Sequence, residues 1–245
     1  MADSEYRQHQ FVVPPDATEI VLVRHGASAP AKPGELFPRL DGHGDPELAP
    51  EGFEQAELVC ARLRARRIDK VFVTGLRRTL QTAAPLGRDT IEVPELREVA
   101  LGDWEGGPFR IKVAERDPLA MRVISEERWD VIPGAETMQS LAARVRAGID
   151  KVVEATGPGK VAVVFAHGGV IGEACRQAAN SRPFAFVHSD NCSISRLVRF
   201  ADGRWLLLTF NDTSHLASWL PPDRGAAMGH AAASPSDGRQ VIRPA

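Results

Sequence analysis

Cysteine is scarce in this chain of 245 residues, standing only at Cys60, Cys175 and Cys192. Odd in number and far apart, the three offer no CxxC pair, no zinc ladder and no disulfide scaffold, so a reducing interior is expected. Long apolar runs are missing as well; none approaches the ~20 residues of a membrane-spanning helix. The opening stretch MADSEYRQHQFVVPPDATE carries charges and prolines where an export signal needs an unbroken apolar core. A soluble, cytoplasmic protein is therefore expected. Excess charge of one sign is absent too, since 30 basic and 32 acidic residues leave a net −2. Nucleic-acid binding needs a concentrated basic face, and this balance argues against it. Lysine is rare, with five against 25 arginines. Biased base composition would produce that ratio, and so would arginines set to grip phosphate or carboxylate with their planar forks.

What is present is 43% apolar and 25% charged residues, ample for a substantial core. Residues 1–18 read as a flexible arm and 217–245, rich in Pro, Gly, Ala and Ser, as a frayed tail. Between them, 19–216 should form one domain. IVLV at 20–23 has the character of a buried strand. Residues 27–50, dense in glycine and proline, read as a long surface loop. Over 52–67 a helical stripe of Phe53, Ala56, Val59, Cys60 and Leu63 appears. A strand at 70–74, a helix at 77–86 and a short strand at 91–93 follow. Residues 108–134 are irregular and highly charged, and read as an insertion with short helices. A helix over 137–153, the strand VAVVFA at 161–166 and a helix at 170–179 come next. Residues 193–200 and 205–210 flank Ala201-Asp202-Gly203, a hairpin signal. The alternation predicts an α/β fold, three-layer α/β/α around a mostly parallel central sheet, with the insertion near the active site.

Ligands in such folds bind at the carboxyl ends of the strands. Two strands end alike, IVLV in Arg24-His25-Gly26 and VVFA in His167-Gly168-Gly169. Central positions for both would bring the histidines to one sheet edge across 142 residues of sequence. Arg24 adds a fixed cation, and the glycines allow close backbone approach to a ligand. Residues 74–83 (TGLRRTLQTA) leave a third strand and bring an arginine to the same edge. This set suits phosphoryl handling: arginine forks fit phosphate oxygens and a neutral imidazole can attack phosphorus. Glu98, Asp103 and Glu105 follow the next strand as candidate proton donors. Each feature has a bland counterpart. A strand-end histidine is often structural, the Arg77-Arg78 pair reads equally as a solvated helix face, and Glu98 could simply pair with Arg97 or Arg78.

Taken in order, these motifs resemble the histidine phosphatase superfamily, the phosphoglycerate-mutase-like proteins, from about Glu19 to Leu216. The resemblance makes 19–216 the catalytic domain and His25 the nucleophile that forms a phosphohistidine. The family's Ser-Pro-Leu-x-Arg-Ala-x-Gln-Thr-Ala matches residues 74–83 and assigns the phosphate-binding arginine to Arg78. Leu96-Arg97-Glu98 with Gly102-Asp103-Trp104-Glu105-Gly106 matches the family's LRE…G-x-WEG and makes Glu98 the proton donor. The AHGG segment gives His167 as a contact of the transferring phosphoryl group, with Arg24, Gly168 and Ser28 also at the phosphate. Two departures stand out. Thr74-Gly75 replaces Ser-Pro, and in RHG-x-Thr-x-x-Asn the Thr position holds Ser28 and the Asn position Ala31, which removes one polar contact.

The reaction so implied is metal-independent and cofactor-free hydrolysis of a phosphomonoester, either a small phosphorylated metabolite or a phosphoprotein. A metal centre on His25 and His167 would lack an aspartate-rich partner motif. Mutases of the family follow the glutamate with Arg-His-Tyr-Gly, whereas Val99-Ala100-Leu101-Gly102 stands here and favours the phosphatase branch. Mutase-type phosphoryl transfer and a non-catalytic phosphate or phosphoprotein binder remain the alternatives. A homodimer is compatible with the sequence. Cys192 reads as a half-buried structural cysteine, and Asp45, Asn191 and His215 as turn or capping groups. His43 and His188 sit in loops within reach of substrate, Trp104 beneath the site, and Phe109 and Trp129 in its roof as specificity candidates.

Overall fold

The computed structural model describes residues 7–217; the first six residues of the expected arm and the expected tail beyond Ala217 lie outside them. Strand β1 (Thr18–Arg24) sends alternate side chains to opposite faces of the sheet. Ile20 and Leu22 join one core cluster, Val21 and Val23 the other. Helices then cover both faces, which makes the three layers.

Strands β2 (Arg39–Leu40) and β3 (His43–Gly44) form a small antiparallel pair. This corrects the reading of 27–50 as plain loop. Asp41-Gly42 turns the chain with φ of 48° and 86°, the left-handed pair that a two-residue hairpin needs. Helix α1 (Pro50–Arg64) starts two residues earlier than the stripe suggests, because proline suits a first helical turn. Strand β4 (Lys70–Val73), helix α2 (Arg77–Ala83) and strand β5 (Thr90–Glu92) follow. The insertion folds into α3 (Pro108–Ala114) and α4 (Pro118–Glu126). Helix α5 (Met138–Thr156) is capped by Thr137, whose hydroxyl accepts from the Ser140 N–H. Strand β6 (Val161–Ala166), helix α6 (Gly168–Ala179) and the strands β7 (Ile194–Arg199) and β8 (Trp205–Asp212) complete the domain.

The main sheet runs β5-β4-β6-β1-β7-β8. Its first four strands are parallel, and β7 and β8 are antiparallel, as the hairpin signal implied. Leu141, Val145, Ile149 and Val152 of α5 pack with α6 on one face; Val59, Cys60 and Leu63 of α1 pack with the α2 segment on the other. Each such side chain contributes about 1.5–3 kcal/mol on burial. The two motif-bearing strands, β1 and β6, are neighbours at the centre of this frame. Among the described residues no helix is long and apolar enough to cross a membrane.

Candidate active site

The His25 N–H donates to Ala166 O at 3.0 Å, which extends the β1–β6 ladder one residue and sets His25 and His167 side by side, ring centroids 5.3 Å apart. Nδ1 of His25 lies 2.7 Å from Gly26 O. A carbonyl only accepts, so Nδ1 holds the proton and Nε2 keeps its lone pair. Burial, then the charges of Arg78 and Arg24, push the His25 pKa well below the ordinary imidazole value. The ring is a free base at neutral pH.

The segment after His25 is fastened from the side. Gly26 N donates to Thr82 Oγ1 at 3.0 Å and Ala27 N to Gln55 Oε1 at 2.9 Å. The glycine is sterically required, because a Cβ there would lie 2.5 Å from Gly52 O of α1. The motif residue Thr82 thus serves the loop that follows His25, and Gln81 Oε1 holds the Leu48 N–H at 2.7 Å.

Arg78 is buried at the base of the site and donates through Nε to His167 Nδ1 at 3.2 Å and through Nη1 to Gly44 O at 2.8 Å. Burial lowers its pKa to about 10, partly offset by Glu98, so it stays a cation. With Nδ1 accepting, the proton of neutral His167 sits on Nε2 and is donated to Thr74 Oγ1 at 2.9 Å. Burial and the Arg78 charge drive the His167 pKa well down too. His167 is fully buried, with both nitrogens engaged by protein. Thr74 is a site residue whose function the sequence concealed. Beside it Gly75 has φ of +82°, a value the proline ring forbids, so this turn differs in kind from a Ser-Pro turn.

Arg24 donates through Nη1 to Ser189 O, and its buried Nε has no protein partner. Glu98 accepts from the Gly169 N–H at 3.1 Å and from the Val99 N–H at 3.0 Å. A Cβ on Gly169 would stand 2.7 Å from Glu98 Oε1, so this glycine makes room for the carboxylate. Glu98 pairs with neither Arg97 nor Arg78. Arg97 is taken by Asp41, Glu92 and Thr74 O. Glu105 lines the cavity, but its oxygens accept from Gly44 N at 2.7 Å and Leu101 N at 2.9 Å. Asp103 is exposed. Of the three carboxylates, Glu98 and Glu105 line the cavity with His25; both oxygens of Glu105 are taken by different segments, whereas the bonds to Glu98 converge on Oε1 with only a long 3.4 Å contact at Oε2.

Arg24, His25, Arg78 and Glu98 share a cavity of about 210 Å³ roofed by Trp104, Phe109 and Trp129. Arg110 of α3 lines it as well, and the sequence reading missed it. Its guanidinium donates to Ser28 Oγ at 2.7 Å and to Ala29 O at 2.9 Å. The Ser28 hydroxyl therefore faces Arg110, and a cation stands beside the segment where Ala31 leaves no polar side chain. Nothing in the spacing singled it out among 25 arginines. Gly168 opens α6. Asp45 accepts the Arg77 N–H at 2.7 Å, Asn191 donates to His25 O at 2.9 Å, and His215 Nε2 lies 2.9 Å from Cys192 O. These are fastening groups, as expected. Cys192 is fully buried rather than half-buried, and burial pushes its thiol pKa far up. Among the described residues no group of three or more His, Cys, Asp and Glu side chains is arranged to hold a metal ion.

The family model for the histidine phosphatase superfamily (branch 1) matches residues 20–213. The chain belongs to that superfamily. Phosphomonoester hydrolysis of the histidine-phosphatase type is the chemistry of the family. The chain is 31% identical to phosphoglycerate mutase-like protein 4 of Arabidopsis thaliana, over 82% of this chain and 88% of the relative. It is 29% identical to the metal-independent phosphoserine phosphatase of the same plant, over 89% and 91%. Its structure resembles mycobacterial glucosyl-3-phosphoglycerate phosphatase with a TM-score of 0.65 at 26% identity, covering 80% of this chain and all of that one. The names of these relatives diverge in reaction as well as substrate, mutase-like in one and phosphatase in the others, so likeness gives the family and not the ester.

Proposed function

We propose that the protein hydrolyses phosphomonoesters through a phosphohistidine on His25. The observation that carries this reading is the free-base Nε2 of His25, its Nδ1 proton held by Gly26 O, in one cavity with Arg24, Arg78 and Glu98. The phosphate oxygens lie against Arg24 and Arg78, and Arg110 meets the charge that Ala31 leaves unserved. The unpartnered Arg24 Nε is a donor ready for an oxygen. His25 Nε2 attacks phosphorus, the P–O ester bond breaks, and the Glu98 carboxyl protonates the departing alcohol. Water then attacks the phosphohistidine, Glu98 takes its proton, the P–N bond breaks and inorganic phosphate leaves. Fixed cations meet the equatorial charge in both halves.

His167 joins by exchange. When the ester binds as its monoanion and one oxygen takes Arg78 Nε, the released Nδ1 of His167 takes the ester's own proton and donates it in a hydrogen bond back to the resulting dianion. The small buried Val99, where mutases of the family carry a basic residue, supports hydrolysis over transfer to a second phosphoglycerate. The test is phosphate release from a simple phosphomonoester, with rapid-quench detection of an acid-labile phosphoenzyme. His25→Ala should abolish both signals, and Glu98→Gln should lower kcat by roughly 10²–10⁴-fold. Phosphate release surviving in His25→Ala would overturn the assigned nucleophile.

A further inference from the structure

A second cavity, about 420 Å³, opens from the catalytic one. Arg24, Glu98, Phe109 and Trp129 line both, so the two meet at the residue that hands a proton to the leaving oxygen. Their chemistry differs. The first holds His25, Arg78 and Arg110, whereas the wall of the second is mostly apolar, with Phe109, Trp129, Phe184, Val113, Val123 and Ile124, and adds His188 and Ser189 as its own polar groups. An aromatic row joins them: Trp104 to Phe109 at 6.3 Å between ring centroids, Phe109 to Trp129 at 5.8 Å, and Trp129 to Phe184 at 4.8 Å. At the rim Arg182 and Glu127 pair with each other.

We propose that this compartment receives the leaving group, and that the substrate is the phosphomonoester of an extended apolar alcohol. The inference rests on the phosphatase reading above. An ester whose phosphate sits between Arg24 and Arg78 must carry its bridging oxygen to Glu98, and beyond Glu98 lies this apolar chamber. A sugar or a glycerate there would strip water from several hydroxyls or a carboxylate along a wall mostly of rings and aliphatic side chains, where His188 and Ser189 offer too few replacements for all of them. An alkyl or aryl chain loses only unfavourable hydration. The Arg182–Glu127 pair leaves no net charge at the rim to draw in a second anion.

The experiment is a series of n-alkyl phosphates, from ethyl to decyl, kept below micelle-forming concentrations. Wild-type kcat/KM should climb by about two- to fourfold per methylene, the factor that buried CH₂ groups supply, until the chamber is full. Ile124→Glu, at a position half open to solvent on α4, should flatten the series, lowering the decyl-to-ethyl ratio at least tenfold. A flat series with hydrolysis intact would overturn the compartment's assignment and leave the phosphatase reading standing. A steep series unchanged in Ile124→Glu would also overturn it, since the chain must then lie elsewhere. No phosphate release from any ester, at any length, would overturn both.

Discussion

Arg144 holds Glu98 from a distance of 46 residues. From α5 it donates to the carbonyls of Glu95, Arg97 and Glu98 at 2.9, 2.6 and 3.0 Å, while Glu136 grips it with both carboxylate oxygens at 2.7 Å. One guanidinium thus sets the backbone from which Glu98, the proposed proton donor, hangs, and it lies outside the cavity lining. Arg144→Ala should lower kcat by about 10–100-fold with KM changed less than threefold, because a displacement on the order of 1 Å in a reacting group has that effect on the chemical step. Partial rescue by Arg144→Lys, whose single ammonium restores the charge but not the fork, separates positioning from mere stability. Equal losses in kcat and thermal stability for both variants would reject the positioning role. Residues of this kind were not legible in the sequence. His25, Arg78, Glu98 and His167 sit in recognisable strings at strand ends, whereas Arg144 and Arg110 lie on helices where an arginine looks like solvated surface. Only the fold reveals that their side chains turn inward.

At the scale of elements, the loop after His25 depends on a contact between two glycines. Gly26 follows His25, Gly52 lies in the first turn of α1, and a Cβ added to Gly52 would stand 2.0 Å from Ala27 O. Backbone meets backbone there, so neither side can yield by turning a rotamer. Gly52→Ala should therefore force α1 away from the loop, weaken the Ala27–Gln55 hydrogen bond and destabilise the protein by about 1–3 kcal/mol. Urea denaturation would read the stability and steady-state assays the activity, which should fall with it. An unchanged midpoint would mean that the approach is looser than the geometry implies. The long strands and helices were legible because apolar periodicity is written in every turn of α1 and α5. The 27–50 segment was not. Its Asp41-Gly42 hairpin is two residues per strand, too short for alternation to register, yet it carries Gly44, whose carbonyl holds Arg78.

For the whole molecule, near-neutral charge hides a cationic centre, and that centre governs acid stability. His25 and His167 are both buried, and burial together with Arg78 keeps both neutral in the folded state. The unfolded chain has no such constraint and takes up protons near an imidazole pKa of about 6.5. Folded pKa values below unfolded ones mean that the unfolded state binds more protons as pH falls. Stability is then complete above about pH 7.5 and is lost below about 6.5, at about 1.4 kcal/mol per pH unit for each histidine. The two together give a slope of about 2.7 kcal/mol per unit, and the half-buried His43 and His215 shift in the same direction. Carboxylates such as Asp69 and Glu136, held below their usual range, release their contribution only at lower pH. The two windows therefore separate. Urea midpoints in phosphate-free buffer from pH 7.5 to 5.5 should fall steeply below 6.5, and His167→Gln should remove about one histidine's share of the slope. A flat profile across that range would show that the site admits protons while folded, contrary to a pocket whose arginines are fixed before any phosphate arrives. Added inorganic phosphate should reverse the trend in part, since the anion supplies the charge that lets His167 accept its proton without unfolding the site.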